Sequence, residues 1–187
     1  MINDVKAALE VLQKGGVILY PTDTIWGLGC DAANEEAVKR IYAIKNRVDS
    51  KSMLVLMENA ALLERYVDEV PDIAYDLIEL SEKPMTIIYD GARNLAKNLI
   101  AEDGSIGIRI TTEAFSSDLI RRFKRPIVST SANISGKSSP ACFSEIEQEI
   151  IDAVDYVVKY RQEDTEKTVP SSIMKLGRGG EIKIIRE

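Results

Sequence analysis

Apolar and polar positions along the chain alternate between a helical period and short strand-like runs. Val5, Ala8, Leu9 and Leu12 recur at helical spacing, and Gly15-Gly16 closes that segment. The run Val17–Tyr20 stops at Pro21 and reads as a buried strand. Asn34 followed by EEAVKRIYAIK predicts an N-cap and a helix with acids in its first turn. Met53–Met57 predicts a second strand, and helical stretches follow around residues 59–66 and 72–80. Strand signals return at Thr86–Tyr89, Ile106–Ile110 and Ile127–Val128, with helical character in Ser117–Phe123 between the last two. Ser144–Ile150 predicts another helix before strand-like Tyr156–Val158, and the tail adds apolar Ile173-Met174 and Ile182–Ile185. No repeat and no linker interrupts this order. The pattern predicts an α/β fold: a single domain over residues 1–187, with a twisted mixed β-sheet flanked by helices. Helix crossovers alone would suggest a doubly wound parallel sheet, but the strand-rich second half argues for a mixed one.

Composition narrows the chemistry. With 187 residues, 45% hydrophobic and 29% charged, the chain is long enough to bury its own core. No apolar run approaches the roughly 18 residues that span a bilayer. The first residues, MINDVKAALEVLQKGG, carry acids inside a helical pattern, unlike a signal peptide, so a cytoplasmic protein with no membrane partner is expected. Cys30 and Cys142 form no C-x-x-C pair and read as ordinary packed thiols. There is no histidine. That removes Ser-His-Asp and Cys-His machinery and histidine-based zinc sites, leaving Lys, Arg, carboxylates, hydroxyls, backbone amides or a hard cation such as Mg²⁺. The net charge of -6 argues against a surface coated in basic residues.

Three polar segments interrupt the apolar pattern. Tyr20-Pro21-Thr22-Asp23-Thr24-Ile25-Trp26-Gly27-Leu28-Gly29 ends a strand in a proline turn, with two hydroxyls, a carboxylate, the only Trp and two glycines. It lacks the third glycine of a dinucleotide fingerprint, and a packing turn explains it as well as a ligand site does. Lys45-Asn46-Arg47-Val48-Asp49-Ser50-Lys51-Ser52 places three cations after a helix. They suit either the helix dipole or a triphosphate clamp. Ser129-Thr130-Ser131-Ala132-Asn133-Ile134-Ser135-Gly136-Lys137-Ser138-Ser139-Pro140 gathers six hydroxyls, an amide and a lysine directly after a strand, a plausible anion cradle. Its Gly136-Lys137-Ser138 is not a P-loop, because Ser131 stands where the first glycine of that motif belongs.

The order YPTDTIWGLGCDA, KNR, SIGIR and PIVSTSANISG resembles the YrdC-like threonylcarbamoyl-AMP synthases, over nearly the whole chain from about residue 10. The resemblance implies a twisted sheet around a large cavity. It also implies an enzyme that condenses L-threonine, bicarbonate and ATP into threonylcarbamoyl-AMP and pyrophosphate, with Mg²⁺ accompanying the nucleotide. A downstream transfer complex would then place the threonylcarbamoyl group on tRNA. By motif, Lys45, Arg47, Ser131 and Asn133 fall on the family's catalytic Lys-x-Arg and Ser-x-Asn tetrad, expected to hold ATP. Lys51, Ser105, Ser139 and Arg186 fall on further nucleotide contacts, and Thr24, Arg109, Ser129 and Ser171 on threonine contacts. The chain departs from the family at Val48, usually Pro, at Leu56, where a His is common, and at Ser81–Lys83, which replace part of a Trp-Pro-Gly-Pro segment. A rival reading is a non-catalytic module for double-stranded RNA or tRNA, supported by Arg121, Arg122, Lys124 and Arg125. The same cluster also suits an ordinary helix end.

Overall fold

The structure is a computed structural model that describes residues 1–46 and 53–187. Five α-helices are present among these: α1 (Ile2–Gln13), α2 (Glu35–Ile44), α3 (Ile73–Leu80), α4 (Ala114–Phe123) and α5 (Gln148–Ala153). The strands are β1 (Ile18–Tyr20), β2 (Gly27–Gly29), β3 (Leu54–Met57), β4 (Met85–Tyr89), β5 (Ile106–Ile110), β6 (Ile127–Ser131), β7 (Tyr156–Val157), β8 (Ser172–Leu176) and β9 (Ile182–Arg186). They form one nine-stranded sheet in the order β7-β1-β2-β6-β3-β5-β4-β8-β9. Three neighbouring pairs, β1/β7, β3/β5 and β4/β8, are parallel and the others antiparallel, so the sheet is mixed as the pattern predicted.

The helices form where amphipathic spacing meets a local start signal. Asn34 caps α2 by accepting a bond from the Ala37 amide, and the helix buries Ala37, Val38, Ile41 and Tyr42. The Glu113 carboxylate likewise accepts from the Ser116 amide at the start of α4, which packs against α1. The central strands are apolar and buried: Ile18, Leu19, Leu28, Val55, Leu56, Ile127 and Val128 have no measurable exposure. Each such aliphatic side chain contributes about 1.5–3 kcal/mol relative to leaving it in water.

Three expectations shift. The helical stretch around 59–66 is a 3-10 helix over Ala60–Arg65, and the helix expected at Ser144–Ile150 begins later, at Gln148, after a 3-10 turn at Phe143–Glu145. The sequence pattern predicts a turn with packing glycines where strand β2 forms. Gly-Leu-Gly has no strand propensity of its own, and it is held extended by antiparallel pairing with β1 on one side and β6 on the other. Glycine suits the place sterically, since a Cβ at Gly29 would lie 2.5 Å from the Tyr20 ring and 2.9 Å from the Val128 carbonyl.

Candidate active site

Alternate residues of neighbouring strands share a face of a sheet. Strand registers therefore place Gly27 beside Ser131, Leu54 beside Ser129, Leu56 beside Arg109, and Ile173 beside both Thr86 and Arg186. Over this face lies a cavity of ≈ 200 Å³. Its lining brings together Thr24, Arg109, Ser129, Ser131, Ser139, Ser171 and Arg186, seven residues from five stretches of sequence, with Trp26 and Met53 as apolar wall. Trp26 is braced by the Phe143 ring, 4.9 Å between centroids.

Arg109 is the buried cation of this site, 3% exposed. Its Nη2 lies 3.0 Å from Asp23 Oδ1 and 3.5 Å from the Thr22 hydroxyl. Thr22 in turn shares a hydrogen bond of 3.0 Å with the Thr24 hydroxyl and donates to the Ile25 carbonyl. Burial pushes the Arg109 guanidinium below its ordinary value, against the pull of Asp23. Burial also pushes the Asp23 carboxyl up, against the pull of Arg109. Desolvation thus outweighs mutual attraction on both partners, as it can for any buried ion pair. Ser171 is fixed from two sides: its hydroxyl lies 2.8 Å from that of Thr86, and its carbonyl accepts from Arg186 Nε and Nη2 at 2.9 and 2.6 Å.

Two members of the expected tetrad stand behind the cavity wall. Lys45 is 1% exposed. Its ammonium donates to the carbonyls of Ser131 and Asn133, the latter at 2.6 Å, and reaches the Asn133 amide oxygen at 3.4 Å. The Lys45 carbonyl accepts from the Ser135 amide. Asn133 Nδ2 closes the loop by donating to the carbonyls of Ile134 and Lys137. Both side chains therefore shape the loop that presents Ser131 rather than lining the cavity themselves. Lys137 turns away from the cavity and pairs with Glu147 at 2.7 Å, consistent with the absence of a P-loop.

Ser105 does not line this cavity. It precedes β5 and bonds Asp103 through both its amide and its hydroxyl, an arrangement that with Lys175 holds the Asp103 carboxyl down at about 2. Arg109 lies four positions on from Ser105 along an extended segment, about 13 Å at roughly 3.3 Å per residue. Arg47 and Lys51, expected on the nucleotide, and the departure at Val48 lie outside the described residues. Leu56 is fully buried next to Arg109, and Ser81–Lys83 line a second cavity of ≈ 140 Å³ together with Asp23. Asp23 and Thr86 are the contributors that motif matching did not assign. Asp23 was visible inside the first polar segment, whereas nothing local in the sequence links Thr86 to Ser171.

A family profile described as "Telomere recombination", built on Sua5, YciO and YrdC proteins, matches residues 10–187. The chain belongs to the Sua5/YciO/YrdC family. A relative named threonylcarbamoyl-AMP synthase, from Pseudoalteromonas translucida, is 34% identical over 159 residues, covering 83% of this chain and 85% of the relative. One from Methanocaldococcus jannaschii, named putative threonylcarbamoyl-AMP synthase, is 35% identical over 176 residues, covering 91% and 81%. Among solved structures, P. abyssi Sua5 complexed with L-threonine superposes with a TM-score of 0.83 at 26% identity, over 92% of this chain. The chain spans 50% of the length of that Sua5. E. coli YciO matches the fold with a TM-score of 0.85 at 24% identity, covering 100% of this chain and 90% of YciO.

Metal chemistry has little footing in the family member's own side chains. Among the described residues no group of three metal-ligating side chains occurs, and the cavity lining offers hydroxyls in place of carboxylates. These residues do not fit a protein-held Mg²⁺ site. Among the same residues, no helix is long and apolar enough to cross a membrane.

Proposed function

We propose that the chain is a threonylcarbamoyl-AMP synthase acting on L-threonine, bicarbonate and ATP. The observation that carries this reading is the buried Arg109, set among the hydroxyls of Thr24, Ser129 and Ser171 in one cavity with Ser131, Ser139 and Arg186. Arg109 offers a fork for the amino-acid carboxylate, and the surrounding hydroxyls suit a small polar side chain. Ser131, Ser139 and Arg186 form the nucleotide side, with Arg47 and Lys51 as further cationic contacts and Lys45 and Asn133 as supports for the loop. The threonine α-ammonium gives up a proton to solvent, and the free amine condenses with bicarbonate to a carbamate with loss of water. A carbamate oxygen then attacks the α-phosphorus of ATP, and pyrophosphate leaves. No covalent enzyme intermediate and no histidine are required; positioning and exclusion of water supply the catalysis. Mg²⁺ would enter as the companion of the triphosphate and neutralise part of its charge. The product is the substrate of a separate complex that acylates tRNA, and such a role places the enzyme in the cytoplasm.

The RNA-only alternative finds less support. Arg121 and Arg122 both pair with Asp118, and Arg125 pairs with Asp31 at 2.7 Å while covering the Phe123 ring. Lys124 is the left-handed cap of α4. These are the contacts of a helix end, and the two carboxylates offset half of the cluster's positive charge for a phosphate backbone. Pyrophosphate release measured with each of threonine, bicarbonate and ATP omitted in turn tests the proposal. Dependence on all three is expected. Release that ignores threonine would reject it.

A further inference from the structure

Among the described residues, three buried side-chain polar atoms lack a hydrogen-bond partner, and two of them belong to one ion pair: Asp23 Oδ1 and Arg109 Nε. The 3.0 Å separation of Arg109 Nη2 and Asp23 Oδ1 is therefore a charge contact without hydrogen-bond alignment. Buried donors and acceptors are rarely left unmade, and those of charged groups least of all. The pair also stands at a partition. Arg109 lines the cavity of ≈ 200 Å³, and Asp23 lines the neighbouring one of ≈ 140 Å³. An orphaned donor on a cation and an orphaned acceptor on an adjacent anion are complementary to one class of small molecule, a zwitterion. In an α-amino acid only two covalent bonds separate the ammonium nitrogen from the carboxylate carbon, so both charged ends meet a receptor of this spacing together.

We propose that Asp23 binds the α-ammonium of the amino-acid substrate while Arg109 binds its carboxylate, so that the two form a zwitterion receptor selecting free α-amino acids over other hydroxy acids. This rests on the reading of the cavity as an amino-acid site. The turn that carries Asp23 is suited to the task. Thr22 and Thr24 on either side of it are hydrogen-bonded to each other, and the Thr22 carbonyl is held by Arg161 Nη1 at 3.1 Å, so the backbone bearing the carboxylate is anchored independently of Arg109. Ligand contacts at Asp23 Oδ1 and Arg109 Nε then break no hydrogen bond of either atom, although Arg109 also holds the Thr22 hydroxyl at 3.5 Å through Nη2.

The test is calorimetric binding of L-threonine and of 3-hydroxybutyrate, which differs by the missing amine, in the presence of a non-hydrolysable ATP analogue. The unaltered protein should bind threonine about ten- to a hundredfold more tightly, the range of a charge-assisted hydrogen bond. Asp23→Asn should lose most of that preference while binding the nucleotide analogue unchanged. Equal affinity of the unaltered protein for the two ligands would overturn the proposal whether or not the variant folds. So would a full preference retained in Asp23→Asn. If neither ligand binds, the amino-acid reading beneath the proposal falls with it.

Discussion

Two carbonyl groups and one amide oxygen converge on the ammonium of Lys45, at the end of α2 and beneath the loop after β6. Removing that ammonium takes the buried donor from the Asn133 carbonyl, which costs about 1–3 kcal/mol, while the Ser131 carbonyl keeps the bond it accepts from the Asn133 amide. Lys45→Ala should therefore lower the melting temperature without nucleotide present, by roughly 4–8 °C for a loss near 2 kcal/mol in a chain of this size. Weaker ATP binding should accompany it, because the loop that presents Ser131 loosens. Differential scanning fluorimetry on the nucleotide-free protein checks the point. An unchanged melting temperature with ATP binding lost would mean that Lys45 acts on the nucleotide directly. The same reasoning separates Lys45 from Arg109, whose buried contact with Asp23 lacks hydrogen-bond alignment.

Strand β2 shows how an element of three residues can shape a site. Its two glycines face different demands. A Cβ at Gly29 would press on the Tyr20 ring at 2.5 Å and on the Val128 carbonyl at 2.9 Å, and neither backbone nor buried ring gives way easily. Gly29→Ala should cost about 1–3 kcal/mol by overpacking, read as a fall in melting temperature. At Gly27, which lines the cavity, the nearest atoms are the Thr130 carbonyl at 3.2 Å and the Ser129 hydroxyl at 3.4 Å. Gly27→Ala should leave the melting temperature nearly unchanged and raise the KM for threonine, since the added methyl crowds Ser129. Equal thermal losses in the two variants would show that β2 has a packing role alone. At the far side of the sheet, β9 brings Arg186 beside Ile173 and onto the Ser171 carbonyl, so the last strand completes the cavity rim.

At the scale of the molecule, a net charge of -6 surrounds a site whose buried charge is a cation with a misaligned anion. Amino-acid selection follows from how such a site treats hydroxyl and methyl groups. A buried site that hydrogen-bonds a substrate hydroxyl rejects an analogue lacking it by on the order of 10⁴, whereas a missing methyl costs about ten- to two-hundredfold. Under the proposed function, the hydroxyls of Thr24, Ser129 and Ser171 in the cavity supply such a site. The expected order is threonine first, serine at a detectable rate and valine essentially inert, compared as specificity constants with ATP and bicarbonate saturating. Valine turning over as well as threonine would mean that the changes at Leu56 and Ser81–Lys83 have altered the amino acid read.

Much of this protein is legible without coordinates. Apolar spacing together with stop and cap signals such as Gly15-Gly16, Pro21 and Asn34 placed α1, α2, α3 and strands β1, β3, β4, β5 and β6. The polar segments after β1 and β6 stood out for the same reason: hydroxyls and glycines interrupt a strand pattern only where something other than packing is asked of them. Three things were decided by tertiary structure. Gly27–Gly29 becomes a strand only because β1 and β6 flank it with open hydrogen-bonding edges. Lys45 and Asn133, expected with Arg47 and Ser131 to hold ATP, turn inward because the loop after β6 places carbonyls where an ammonium can satisfy them. Asp23 acquires its character from Arg109, a residue far away in sequence, because β5 carries that guanidinium into the turn after β1. Local pattern determines which face of each element is buried, but the pairing of charges across strands is settled only when the sheet closes.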